Sequence, residues 1–254
     1  MDNNSTIPNG EILEDRFKGA DGENAVKSIT HIRTMATAFE GFHLFGREKE
    51  KVAILKLISN QPTEEFEVIP VWGIGGLGKT TLVKDIYQNQ ELSGTFEKRA
   101  YVTVMRPFSL EGLLRSLVMQ LDRESSEKKD SVSLMDNKKN KLLFMSLEAL
   151  IEEMGRFIKG NSCLIVIDDV SSAAEWNMII PIFHGMKQAS RIIVTTREEY
   201  IAKLCAKNPE NIYMLKDLEY KDAHDLFTKK VLNSKVLLFL LLHITIMCPR
   251  YFFS

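Results

Sequence analysis

An α/β fold built on a parallel sheet, covered by helices on both faces, is predicted by three features of the sequence. Five short apolar runs recur along the chain: "FEVIPVW" (66–72), "AYVTV" (100–104), "CLIVI" (163–167), "RIIVTT" (191–196) and "IYML" (212–215). They alternate with segments of helical periodicity, and near-continuous apolar strands separated by helices belong in a sheet buried on both sides. The third feature is "GIGGLGKTT" (73–81), a glycine-rich stretch set between the first apolar run and a helical pattern.

Residues 1–40 are polar and irregular, with Ile7-Pro8-Asn9-Gly10 as a turn, and are expected to form a loose arm or linker. From "FGREKEKVAILKLI" a helix is expected, because Val52, Ile54, Leu55 and Ile58 can share one face while Arg47, Glu48, Lys49 and Glu50 open it. Leu110, Leu113, Leu114, Leu117 and Leu121 recur at helical spacing, as do Leu147, Leu150, Ile151, Met154 and Ile158; both stripes are core faces. Between them "DRESSEKKDSVSLMDNKKNK" (122–141) is too polar to bury and reads as an exposed loop. The last segment, "NSKVLLFLLLHITIMCPRYFFS" (233–254), is an atypical apolar tail whose run from Val236 to Met247 is short for spanning a bilayer, leaving at most weak membrane association. No internal repeat is present.

Bulk composition excludes some functions. The chain has 254 residues, 44% of them hydrophobic, which suits a folded core. Its 33 Lys and Arg nearly cancel its 34 Asp and Glu, so no basic field exists to hold nucleic acid or an anionic membrane. A small ligand or another protein is the expected partner. Cys163, Cys205 and Cys248 form neither a disulfide framework nor a zinc pattern, and the first residues hold no signal-peptide core, so a reducing, cytoplasmic setting is expected.

The glycine-rich stretch carries the chemistry. Gly73, four residues, then Gly78-Lys79-Thr80 fits the GxxxxGK[ST] phosphate loop, and it follows a predicted strand and opens a predicted helix. This makes the expected fold a P-loop NTPase. Gly73, Gly75, Gly76 and Gly78 let the backbone wrap closely with its N–H groups turned inward, and the helix beginning near Lys79 adds its positive end. Lys79 would reach the β- and γ-phosphates, the Thr80 hydroxyl would bind Mg²⁺, and Thr81 follows in the same cradle. "LIVIDDV" ends a neighbouring strand with Asp168, the candidate metal partner, and Asp169, the candidate water-orienting group. Aspartate is one methylene shorter than the glutamate of many hydrolysing relatives, so slow turnover is expected. "RIIVTTR" brings Thr195, Thr196 and Arg197 to the carboxyl edge of the sheet, where Arg197 can sense a terminal phosphate.

In this order the motifs resemble the nucleotide-binding (NB-ARC) core of plant nucleotide-binding leucine-rich-repeat disease-resistance receptors, over about residues 42–232. "FGRE" (45–48) is similar to the family segment that packs against adenine, which points to Phe45 and Gly46. "GIGGLGKTTL" resembles its phosphate loop, and "FEKRAYVTV" (96–104) its next strand. "LIVIDDV" with Trp176 resembles its metal-site strand, "ASRIIVTTRE" (189–198) its sensor strand, and "YMLKDLEYKDAHDLF" (213–227) the lead into a small helical subdomain.

The resemblance implies a five-stranded parallel sheet with the sensor strand beside the phosphate-loop strand, ADP bound at rest, and exchange for ATP driving assembly and immune signalling. The implied divisions are an arm (1–40), a nucleotide-binding domain (41–215), the start of a truncated helical subdomain (216–232) and the tail (233–254). Departures accompany the matches. Pro70 interrupts the first strand. The adenine-closing Gly-Leu-Pro-Leu segment, the His-Asp pair of a winged-helix domain, the repeats and an N-terminal bundle are all missing, so a truncated receptor is expected. The leading expectation is an ADP/ATP-binding switch module with Mg²⁺, partnered by other resistance-receptor proteins. The alternatives are a decoy or modulator without nucleotide function and an active ring-forming ATPase.

Overall fold

The computed structural model describes residues 44–60, 65–126, 142 and 144–232. The expected arm (1–40), most of the 122–141 loop, the tail (233–254) and Cys248 lie outside the described residues. Five strands, β1 (Glu67–Trp72), β2 (Lys98–Thr103), β3 (Cys163–Val170), β4 (Arg191–Thr196) and β5 (Tyr213–Met214), form one sheet in the order β2-β3-β4-β1-β5. Every pairing is parallel. Around it run α1 (Glu48–Ser59), α2 (Lys79–Tyr87), the short α3 (Gln90–Ser93), α4 (Leu110–Ser126), α5 (Leu147–Ile158), α6 (Ala173–Ile179), α7 (Glu199–Cys205) and α8 (Tyr220–Leu232).

The apolar runs are continuous because alternate residues feed opposite layers. On one face Ile165, Ile167, Ile192 and Val194 pack with Leu113, Leu114, Leu117 and Leu121 of α4 and with Leu150, Met154 and Ile158 of α5. On the other, Leu164, Val166, Ile193 and Ile69 pack with Ile54 and Ile58 of α1 and with Leu82, Val83 and Ile86 of α2. The helix stripes are therefore core faces, with two corrections. Val52 is 51% exposed because, two residues before Ile54, it projects from nearly the opposite side of the helix, and Ile151 is 40% exposed at the margin of its stripe. A third correction concerns residues 122–126, expected in a loop: they continue α4, because neither glycine nor proline interrupts the helix there.

Polar groups fasten the sheet's margins. The buried Arg191 guanidinium donates to the carbonyls of Ile58 (3.1 Å) and Asn60 (2.7 Å), closing the C-terminal end of α1 onto the start of β4. At the β2 edge the Gln120 side chain of α4 takes the place of a sixth strand. Tyr101 N–H donates to its Oε1 (2.9 Å), and its Nε2 donates to the Tyr101 carbonyl (2.7 Å). Pro70 pairs in register with Val194 of β4, whereas β5 reaches only Val71 and Trp72. No β5 residue therefore faces the proline that lacks a donor.

The ladder breaks at one place. Ile167 faces Val194 and Val170 faces Thr196, so Asp168 and Asp169 together oppose Thr195 in a β-bulge. Asp169 has φ 67°, the left-handed conformation, which costs a non-glycine residue about 1 kcal/mol or more. The Thr195 hydroxyl pins both bulged residues: it accepts from Asp169 N–H (2.9 Å) and donates to Asp168 Oδ1 (2.6 Å).

Three substitutions test this frame by urea unfolding. Leu114→Ala, at a fully buried site, is expected to lose about 2–5 kcal/mol, while Val52→Ala loses well under about 1 kcal/mol. Thr195→Val keeps the shape, removes both pins of the bulge and is expected to cost about 1–3 kcal/mol, because the buried Asp168 carboxylate then loses a donor.

Candidate functional site

At the carboxyl edge of the sheet, β1 ends in the loop 73–78, which turns directly into α2. Gly78 caps that helix at φ 87°, a conformation that favours glycine and lets the chain reverse into the helix without strain. Gly73 is required for space, since a Cβ there would lie 2.6 Å from the Leu215 carbonyl oxygen. Leu215 is held in turn by its N–H on the Trp72 carbonyl at 2.8 Å, so the segment after β5 braces the base of the loop.

Lys79 is buried and folds back over its own loop, donating to the carbonyls of Gly73 (2.5 Å) and Ile74 (2.8 Å). Burial, then the nearby Arg197 charge, pull its ammonium below the ordinary lysine value, while Asp169 and Asp168 pull the other way. In the first turn of α2, the Thr80 hydroxyl lies 3.0 Å from both carboxylate oxygens of Asp168. Asp168 is 1% exposed and also accepts from Thr103 at 3.4 Å. Beside it, burial first and the Asp168 charge second push the Tyr101 hydroxyl above its usual range, so it stays protonated.

Asp169 points its chemistry elsewhere. Its carboxylate pairs with Arg197 Nε at 3.4 Å, and Arg197 Nη1 lies 3.9 Å from where a Cβ on Gly75 would sit. The arginine thus stands at the flank of the glycine loop. The two residues read separately from the sequence, one as a water-orienting group and one as a phosphate sensor, are partners here.

Phe45, Gly46 and Arg47 approach from the other side. Arg47 Nη2 donates to the Leu77 carbonyl at 3.1 Å, tying the start of α1 to the glycine loop. Gly46, at φ 64°, is pressed by α8: a Cβ would lie 2.7 Å from the Asp222 Cβ. Lys229 of α8 sets its ammonium 4.2 Å from the centre of the Phe45 ring. The structure thus gathers Gly73, Gly75, Gly76, Gly78, Lys79, Thr80, Thr81, Asp168, Asp169 and Arg197 at one edge, with Phe45 and Gly46 beside α8. Sequence reasoning passed over Thr103, Arg106 and Asp222, and the pinning role of Thr195. Only Thr195 carried a signal, as a hydroxyl beside the carboxylate strand in "RIIVTT".

The donor set fits a small hard cation. Thr80 Oγ1 and the Asp168 carboxylate converge at 3.0 Å, two oxygen donors beside a phosphate cradle, and Mg²⁺ takes few protein oxygens where phosphates and water complete its shell. Among the described residues no cluster of three or more His, Cys, Asp or Glu could hold an ion alone. Nor, among them, is any helix long and apolar enough to cross a membrane.

Residues 47–237 match the NB-ARC domain family. Disease resistance protein RGA2 of Solanum bulbocastanum is 26% identical over 191 residues, 74% of this chain and 18% of that protein. An RPP13-like disease resistance protein of Arabidopsis thaliana is 25% identical over 184 residues, 72% of this chain and 20% of that one. The chain therefore spans about a fifth of the length of the curated relatives it matches. Among solved structures, the Aeropyrum pernix ORC2 protein overlays at a TM-score of 0.45 with 12% identity, covering 76% of this chain and 54% of that one. AMPPCP-bound DnaA from Aquifex aeolicus overlays at 0.41 with 14% identity over the same shares. Overlays this loose carry no functional meaning. The family match runs through the glycine loop, β3, β4 and α8 and covers most of the chain: the chain belongs to the NB-ARC domain family.

Proposed function

We propose that this chain is an ADP- or ATP-binding switch module of a disease-resistance receptor, and that it holds nucleotide with Mg²⁺ and hydrolyses it slowly or not at all. One observation carries the reading: Thr80 and Asp168 meet beside the glycine loop while Asp169 is engaged by Arg197. An aspartate whose carboxylate is engaged by a guanidinium is poorly placed to align an attacking water. Phosphates would lie along the loop's N–H groups and the start of α2, with Lys79 exchanging the Gly73 and Ile74 carbonyls for phosphate oxygens. Thr80 and Asp168 would hold Mg²⁺, which supplies charge neutralisation between the phosphates. Arg197 would report the terminal phosphate, and Phe45 and Gly46 would border the base.

On this reading the nucleotide-binding unit runs over residues 41–215, and α8 opens a further helical subdomain. Other resistance-receptor chains are the proposed partners, and the cytoplasm is the proposed location. The similarity to disease resistance proteins of two plants supports the receptor context.

The test is nucleotide content. The full chain, purified and denatured, is expected to release close to one ADP or ATP per chain. Lys79→Ala should bind added nucleotide about tenfold more weakly or worse, since a hydrogen bond to a charged group contributes about 1.5–3 kcal/mol. A folded wild-type chain that carries none and binds none would overturn the reading and favour a modulator that needs no nucleotide. Turnover at the rate of a working motor ATPase would overturn its slow-hydrolysis part.

A further inference from the structure

We infer that Arg106, on the loop after β2, is a positioning residue that locks the bulge at Asp168–Asp169 and so sets the metal affinity of the site. Asp169 is the one non-glycine residue at positive φ among the described residues, and such a conformation persists only where its surroundings over-determine it. Its N–H is held by Thr195 and its carboxylate by Arg197. Its carbonyl is held by Arg106, whose Nη2 donates at 2.8 Å.

Arg106 is itself anchored. Its Nη1 lies 3.2 Å from Oε1 of Glu175, a carboxylate only 10% exposed in α6. The other oxygen of Glu175 accepts from Ser171 N–H at 2.9 Å. Arg106 and Glu175 thus bracket the chain on both sides of Val170, one gripping residue 169 and the other residue 171. Arg106 is 42% exposed, so its ion pair adds little to global stability. Its effect is local. Without it the Asp169 carbonyl is released, the left-handed turn relaxes, and Asp168 leaves its alignment on Thr80.

This inference rests on the proposed nucleotide site, and its test separates the two. Titrate a fluorescent ADP analogue against the full chain in Mg²⁺ and in EDTA, for the wild type, Arg106→Ala, Arg106→Lys, Glu175→Gln and Lys79→Ala. Arg106→Ala is expected to lower the Mg²⁺ enhancement of affinity by about tenfold or more, as loss of outer-shell partners does at metal sites, while affinity in EDTA stays within about twofold. Arg106→Lys, which can grip the carbonyl or Glu175 but not both, should fall between, and Glu175→Gln should follow Arg106→Ala to a smaller extent. A purely structural role would lower affinity equally in both buffers, or lower the melting temperature alone. Either result overturns the inference, as does an unchanged Mg²⁺ enhancement in Arg106→Ala while Lys79→Ala has lost binding. If Arg106→Ala does not fold, Glu175→Gln decides by the same criterion. A wild-type chain that binds no nucleotide overturns both the site and the inference.

Discussion

A single hydroxyl holds the site in register. Thr195 stands opposite two residues, accepting from one and donating to the other, and by doing so allows β3 to carry one residue more than β4 at the edge where ligands of open α/β sheets sit. Strict pleating would turn Asp168 and Asp169 to opposite faces of the sheet. The bulge re-aims them along the edge, one toward Thr80 at the start of α2 and the other toward Arg197 beside the glycine loop. Three strands and a helix thereby converge on a region only a few residues across.

The architecture was legible because it rests on periodicities that act locally. Unbroken apolar runs require two buried faces, and leucines at helical spacing require a sheet beneath them, so strands, helices and parallel order follow from the same accounting. The phosphate loop was legible because glycines, a lysine and a threonine at fixed spacing do their work within one turn of chain. Ile151 was misjudged since apolar spacing defines a stripe but not its width, and Val52 because a residue two positions from Ile54 falls on the other side of the helix. Residues 122–126 were misjudged because polarity marks exposure and does not end a helix.

What stayed hidden depends on contacts between distant segments. That Gly46 is required by Asp222, that Leu215 braces Gly73, and that Asp169 is answered by Arg197 are facts of close approach, with no local pattern to announce them. Arg106 was invisible for the same reason: in the sequence it is a lone charge after a strand, and in the fold it grips a backbone carbonyl across the sheet edge.

The sheet's two edges have a consequence for how this domain meets other molecules. At one edge β5 offers only two residues, and the strand behind it carries a proline just beyond their reach. At the other, the Gln120 amide already occupies both backbone groups of Tyr101 in the middle of β2. Edges that are short, charged or covered deny an incoming strand its ladder. Along its described edges the sheet therefore offers an incoming strand little ladder to extend, and pairing at the middle of β2 would have to displace the Gln120 amide first.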